Sequence, residues 1–445
     1  MTTVYTTIVL RIALALLVAA EAVLFSVLSP ISVLAREEAP LQPEAVVKEV
    51  RAIIAERYVL PERRPMLDEA LAEGLASGRY DVDDPALLAT LIDADLRRAG
   101  QDKHLYISYD PAGNVAMRAG ADGGFDMAAY EAQARAANHG IAELRILPGN
   151  VRYLDYRGFD WVGEESGAAI DAAMAFLAGG DAVIIDLRRN GGGSPEAVQR
   201  MVSYFLAPET PLVTFYMEGE AEPDAPAALT ELAGPRMIGK PLYVLTSGGT
   251  GSAAEEFAGH VGGYEIGELV GGTTAGAGFR NDIVPVGDRF ALSVSVGRAV
   301  LASTDRDWEG VGIEPTIPAP VSDARDIAHR EALLRLAAQA SGEDREAMED
   351  LSDNIAALTE DRSPALALSA YAGTYGDRAI AEEDGALVYR REGRLAEPLV
   401  ALGGNRFAWR SDPSRIVDFD VEEEAPVSMA LGTIREPARS RYSRR

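Results

Sequence analysis

Two segments constrain this chain more than the rest of it: AVIIDLRRNGGGSPEA at 182–197 and PLYVLTSGGTGSAAEEFAGH at 241–260. In each, an apolar run of strand length breaks into glycines and then into residues that open a helix. The same alternation runs from a strand at 150–156 through a helix at Glu164–Leu177, a strand at 182–188 and a helix at Pro195–Phe205 to strands at 211–216 and 241–246. Strands alternating with helices specify an α/β core with a partly parallel sheet. In such cores the chemistry collects on loops at the carboxyl ends of the strands.

The second segment carries Ser252 at the start of its helix. A hydroxyl there meets the positive end of the helix dipole, beside free N–H groups that can hold a developing negative charge. The same letters fit a capping box, because Ser252 to Glu255 reads S-x-x-E. Taken alone, the stretch leaves cap and nucleophile both open. The glycine loop at 191–193 lacks the following GK[ST] of a phosphate-binding loop.

Before the core, residues 40–100 read as a bundle of about three helices. Val46, Val47, Val50, Ile53 and Ile54 share one helix face, and Asp84-Pro85 caps the helix that carries Leu87, Leu88, Leu91 and Ile92. A strand follows at Leu105–Tyr109 with His104 at its mouth, then a helix around Asp126–Ala137. Past Gly271 the chain turns β-rich, through DIVPV and FALSVSVGRAVL, and a helix at Asp323–Ala338 closes the core. Residues 341–363 are acidic and poor in aromatics, as in a solvated helix or a linker. From 364 short strands and turns predict a separate antiparallel β domain with a basic tail. The expected layout is thus a signal segment at 1–35, a helical bundle at 36–103, an α/β core at 104–340, the acidic segment at 341–363 and the β domain at 364–445.

A formal charge of −27 over 445 residues argues against nucleic acid or an anionic membrane surface as the main partner. The absence of cysteine excludes disulfides, thiolate metal sites and a cysteine nucleophile. Arg11, the apolar run Ile12–Leu28 and Val33-Leu34-Ala35 read as a cleavable export signal. An uncleaved membrane anchor is the competing reading. Either way the folded part is expected outside the cytoplasm, in a periplasm or secreted.

Four histidines are available: His104, His139, His260 and His329. His139 and His260 fall at helix C-termini, where the dipole favours them. His329, in AHREALLRLAA, is expected on the surface. Only His104 has no such local role.

VIIDLRRNGGG, YVLTSGGTGSAAEEFA, GELVGGTTAGAG and WEGVGIEP follow one another in an order and spacing similar to the C-terminal processing (tail-specific) serine peptidases. The closer likeness is to the subgroup of the tricorn core and the interphotoreceptor retinoid-binding protein repeats, and PGNVRYLDYRGF resembles that subgroup's entry strand. The resemblance covers residues 40–320. It implies a crotonase-like (ClpP-like) α/β core preceded by a helical bundle.

Tail-specific members pair the serine with a lysine in a motif like T-F-G-K-G. Here the matching stretch is Thr274-Ala275-Gly276-Ala277-Gly278, with alanine in place of the lysine. The resemblance therefore points to the tricorn-like design, with Ser252 as nucleophile, His104 as general base and then acid, and Glu309 supporting the histidine. The N–H of Ala253 and one from Gly191 or Gly192 would form the oxyanion hole. Glu255 is expected as the cap partner, with a possible part in orienting the serine. Lys103 departs from the subgroup, which has a serine before its histidine. A charged lysine there can depress the histidine pKa, or simply be solvated. Only about 45 residues separate His104 from the strand at 150, too few for the family's PDZ module.

The expected function is peptide-bond hydrolysis by a serine peptidase acting on peptide or protein substrates, with no metal or organic cofactor. The rival is a non-catalytic binding protein for an apolar ligand or peptide, which has no need of Ser252, His104 and Glu309 together.

Overall fold

The computed structural model describes residues 40–119, 127–437 and 439–445. The chain divides into two units, Met1–Gln42 and Pro43–Arg445. The segment read as an export signal, residues 1–35, lies outside the described residues. Among the described residues no helix is long and apolar enough to cross a membrane.

The second unit opens with α1 (Pro43–Arg57), α2 (Arg64–Ala76) and α3 (Pro85–Gly100), followed by α4 (Pro111–Ala119) and α5 (Met127–Ala136). Val46, Val47, Val50 and Ile54 of α1 and Leu88 and Ile92 of α3 are buried as expected, whereas Ile53 and Leu91 are half-buried and Leu87, on the outer side of α3, is exposed. Asp84 accepts the N–H groups of Ala86 and Leu87, with Pro85 at the first helical position, so a side chain satisfies donors that the helix itself cannot.

The core strands are β1 (Tyr106–Tyr109), β2 (Ile141–Leu147), β3 (Val151–Tyr156), β4 (Ala182–Asp186), β5 (Val213–Met217), β6 (Leu242–Thr246), β7 (Glu268–Gly271), β8 (Phe279–Val286), β9 (Phe290–Leu301) and β10 (Ile317–Pro318). One sheet runs β10-β7-β6-β4-β3-β2. Its pairs are parallel except the edge pair β2–β3. Every residue of β4 and β6 is buried, because both faces are covered. On one face Val183, Ile185 and Val244 meet α6 (Glu164–Ala178), α7 (Pro195–Ser203) and α8 (Ala253–Gly263). On the other, Ile184, Tyr243 and Leu245 meet α9 (Ala324–Ala337) and α10 (Gly342–Ala356). A second sheet has β9 between β1 and β5, with β8 also paired to β9.

Three departures from the sequence reading have physical causes. Strand β2 was not expected: it is an edge strand with most of its residues partly or fully exposed, so it lacks a clear apolar alternation. The acidic segment at 341–363 forms α10, and its Leu351 and Ile355 are buried against α9 and the sheet. His329 is not a surface residue but is 5% exposed, with Nε2 2.8 Å from the Pro148 carbonyl oxygen.

The C-terminal strands β11 to β18, from Gly373–Tyr375 to Ser440–Ser443, form one antiparallel meander. Its ends meet: Tyr375 bridges Arg444, and the Arg445 N–H donates to the Thr374 carbonyl at 2.9 Å. The sheet thus nearly closes into a barrel filled by Tyr371, Tyr375, Phe407, Trp409, Phe419 and Met429.

Candidate active site

Three loops leave the carboxyl ends of β4, β6 and β7 and are tied to one another. Thr250 Oγ1 donates to the Leu187 carbonyl at 2.8 Å and Ser247 Oγ to that of Arg188 at 2.7 Å. The Gly251 N–H reaches the Asn190 carbonyl at 3.0 Å, and the Ala275 N–H reaches that of Thr250 at 2.9 Å. The glycine loop, the serine loop and the TTAGAG stretch are therefore one assembly.

Ser252 has φ 53° and ψ −123°, a backbone region that residues other than glycine rarely occupy. An ordinary N-cap is extended. The glutamate half of the capping box is present, since Glu255 Oε2 accepts the Ser252 N–H at 2.9 Å. Glu255 does more than cap. Fully buried, it also accepts Thr274 Oγ1 and the Gly276 N–H at 2.6 Å each and the Ala277 N–H at 2.8 Å. Its carboxylate locks the serine turn to the loop after β7.

Gly192 packs against the serine, with φ 114°. A Cβ on it would come within 2.7 Å of Ser252 Cβ and 3.0 Å of the Ala253 nitrogen. Its N–H is engaged by Asn190 Oδ1 at 2.9 Å, so of the two glycines expected in an oxyanion hole it is not the open donor. Among the described residues no hydrogen bond is found from the N–H of Gly191 or of Ala253, the first residue of α8.

A groove of about 400 Å³ opens beside Ser252, walled by Tyr130, Trp161, Phe215, Trp308, Glu256 and Arg280. Ala277, at the position where a lysine would stand, lines the same groove with only a methyl group. Glu256 was not singled out from the sequence. It is buried, its pKa is raised by that burial, and Oε1 lies 3.5 Å from His260 Nε2. The E-x-x-x-H spacing on one helix face was the available signal.

His104 sits where α3 turns into β1 and is 9% exposed. The turn is built by Asp102, whose Oδ1 accepts the N–H groups of His104 at 2.8 Å and Leu105 at 3.2 Å. Burial lowers the His104 pKa below its ordinary value, and the Asp102 charge opposes the shift. Lys103 is not free in solvent, because its ammonium donates to the Ala275 carbonyl.

Glu309 Oε2 accepts the N–H groups of Gly278 at 2.6 Å and Phe279 at 3.1 Å. Burial first, and then the Asp102 charge, push its pKa up to about 7. One donor atom each from Asp102, His104 and Glu309 lie within 4.8 Å of one another. Sequence reasoning missed Asp102, for which D-x-H before a strand was the signal.

The stretch Ala275–Gly278 joins the two halves of the site. One side is held by Glu255 under Ser252, the other by Lys103 and Glu309. Among the described residues no hydrogen bond links His104 directly to Ser252. His139 bonds Ser166 Oγ at 2.9 Å and His329 bonds Pro148, so neither ring is committed to this site.

The family model described as peptidase family S41 matches residues 150–319, which hold the glycine loop, Ser252 and Glu309. The model described as the N-terminal domain of peptidase S41 in eukaryotic IRBP matches residues 40–134, which hold the bundle and His104. Over these two stretches the chain is similar to peptidase family S41. A curated relative, the carboxy-terminal processing protease CtpB of Bacillus subtilis (strain 168), is 28% identical over 141 residues, 31% of this chain and 27% of that protein. The chain thus matches only about a quarter of that relative's length. Among solved structures, a photosystem II D1 C-terminal processing protease is 17% identical, with 63% of this chain and 94% of the other covered and a TM-score of 0.40. The tricorn protease is 12% identical, with 71% and 37% covered and a TM-score of 0.39.

Proposed function

We propose that this protein is a serine peptidase that cleaves peptide bonds through an acyl-enzyme on Ser252. The observation that carries the reading is the Ser252 turn: a serine in a backbone conformation that residues other than glycine rarely adopt, at a helix start, with two unengaged N–H groups beside it. Such strain is maintained where a side chain must be presented in one direction.

His104 acts as general base. Its pKa is lowered by burial, so the ring is neutral at neutral pH and able to take a proton. Ser252 Oγ attacks the scissile carbonyl carbon while its proton passes to His104 Nε2. The carbonyl oxygen becomes an oxyanion held by the N–H groups of Ala253 and Gly191. The C–N bond breaks as His104 returns the proton to the departing amine. Water, deprotonated by the same ring, attacks the ester and releases the acid and Ser252. A side-chain rotation of His104 closes the serine–histidine contact, which in free enzymes is often long. Glu309 supports the ring from its buried side, and Glu255 holds the serine turn.

We read the α/β layers as a crotonase-like core, and residues 1–35 as an export signal that carries the folded part out of the cytoplasm. Substrates are peptides or proteins bound in the groove between Trp161, Phe215 and Trp308. The test is labelling with a fluorophosphonate probe. The wild type should label at one site, and Ser252→Ala and His104→Ala should not. Equal labelling of wild type and Ser252→Ala would remove the nucleophile and leave the binding-protein reading.

A further inference from the structure

The groove beside Ser252 has the second sheet as one of its walls. Phe215 of β5 pairs with Ala299 of β9, and Arg280 of β8 pairs with Gly297, two residues back along β9. Alternate residues of a strand share a face, so Arg280, Ala299 and Phe215 lie on one face, and all three line the groove. The Arg280 guanidinium carbon is 5.3 Å from the centre of the Phe215 ring, close enough for the ring face to hold the cation. Among the described residues no hydrogen bond or ion pair engages this guanidinium. That is a departure in a chain with 69 Asp and Glu against 42 Lys and Arg. In the same sheet Arg298 is bonded to Asp307, and Asp282 to Arg57. Arg280 keeps its donors open to the groove.

Two carboxylates also line the groove, and neither is matched to Arg280. Glu196 is exposed and takes the Ser194 hydroxyl. Glu256 is 4% exposed, with Oε1 3.5 Å from His260 Nε2, and the Arg280 charge reaches it only through space. A carboxyl group can lay down its charge by taking a proton, and this one has a histidine beside it. A guanidinium stays charged at any working pH. The unmatched charge in the groove is therefore positive.

We propose that Arg280 is a specificity-determining residue that receives the carboxylate of an aspartate or glutamate side chain next to the scissile bond. This rests on the reading of Ser252 as nucleophile. Ser252, Ala253 and Arg280 line one cavity of about 400 Å³, too small for more than a residue or two. A group that reaches Arg280 thus belongs to the residue being cleaved or to its neighbour. Trp161, Phe215 and Trp308 offer aromatic faces to the methylene groups of such a side chain. Trp308 Nε1 is already on the Ala277 carbonyl at 3.1 Å, and Asn281 Nδ2 on Ser293 Oγ at 2.8 Å, so Arg280 supplies donors for the charged end. A guanidinium can grip a carboxylate through two parallel N–H···O bonds, whereas a glutamine amide offers it one oxygen and no charge.

The test compares N-acylated diphenyl phosphonate probes that carry the side chain of glutamate, glutamine or lysine next to the phosphorus. In the wild type the glutamate probe should label Ser252 about tenfold faster than the glutamine probe or better, with the lysine probe slowest. In Arg280→Gln the glutamate and glutamine rates should converge, and in Arg280→Glu the lysine probe should become the fastest. Each ratio is taken within one variant, so a general loss of activity or folding cancels. Equal glutamate and glutamine rates in the wild type overturn the proposal, and that ratio decides even if the variants misfold. A glutamate preference that survives in Arg280→Gln overturns it too, as does a wild-type preference for lysine, which would give the pocket to Glu256.

A free chain terminus carries the same group, but the probes have none. Peptides cut before a last residue whose carboxyl is free or amidated therefore separate the two sources. Cleavage that needs the free carboxyl, without a glutamate preference, overturns the side-chain assignment. Binding to Ser252→Ala protein separates this proposal from the peptidase reading, because Trp161 and Trp308 report on the groove. Their fluorescence should respond to a peptide with blocked ends and a central glutamate at about tenfold lower concentration than to its glutamine twin. That preference without probe labelling removes the peptidase and keeps the carboxylate site. Labelling without that preference keeps the peptidase and removes the site, and the loss of both removes both.

Discussion

At the scale of single residues, the site depends on what is missing at 192. A side chain there meets Ser252 Cβ at 2.7 Å and requires a φ of 114°. Gly191, one residue earlier, has nothing within 4 Å of a Cβ and no such φ. Gly191→Ala should therefore fold like the wild type. Gly192→Ala should lose about 1–3 kcal/mol of stability and about a hundredfold in labelling rate as Ser252 is displaced. Urea unfolding and probe kinetics on the two variants check this, and equal behaviour would defeat it. Ser252 and the NGGG loop were legible because glycine next to a serine at a helix start is a local signal. Asp102 was not, because its meaning comes from Glu309, more than 200 residues away in the chain.

At the scale of elements, α9 illustrates how a helix is read correctly and its faces are not. The helix at Asp323–Ala338 was expected almost to the residue, yet His329 was put in solvent. What buries it is the covering of α9 by the sheet and α10 together. Helix α10 looked like a solvated segment because Glu343, Asp344, Glu346 and Glu349 are exposed, whereas Leu351 and Ile355 lie inward. Burial lowers the His329 pKa to about 4, below its unfolded value near 6.5. The neutral ring thus contributes stability that is fully present above pH 6.5 and is lost as pH falls through 4. The expected loss is at most about 3 kcal/mol. His329→Gln, which keeps a donor for the Pro148 carbonyl, should flatten the decline between pH 6.5 and 4 in urea titrations. An unchanged slope would place the acid lability elsewhere.

At the scale of the whole molecule, the chain combines a layered α/β core with a barrel that has its own aromatic interior. Closing the barrel pairs the edge strand β11 with residues 443–445, which otherwise would offer unpaired N–H and C=O groups to other chains. Deleting residues 440–445 removes β18 and reopens both edges. The truncated protein should show a lowered first transition on heating and concentration-dependent aggregation, while Ser252 still labels. Loss of labelling in a soluble truncated protein would tie the barrel to the site itself. The strands were legible as short alternating runs, but their closure was not.

By itself the sequence determined the alternation of strands and helices from 150 to 260, the serine turn with its glycine loop and the alanine at 277. These are local matters of periodicity, glycine conformation and residue identity. Only the tertiary structure decided that Gly192 touches Ser252 while Gly191 keeps the open N–H. It alone decided that Glu255 binds the loop after β7, and that Asp102, His104 and Glu309 enclose one buried space. The meeting at Ser252 is produced by parallel strands that end their loops on one side of a sheet, and that of Asp102 with Glu309 by the antiparallel pairing of β1 with β9; sequence spacing carries no record of either.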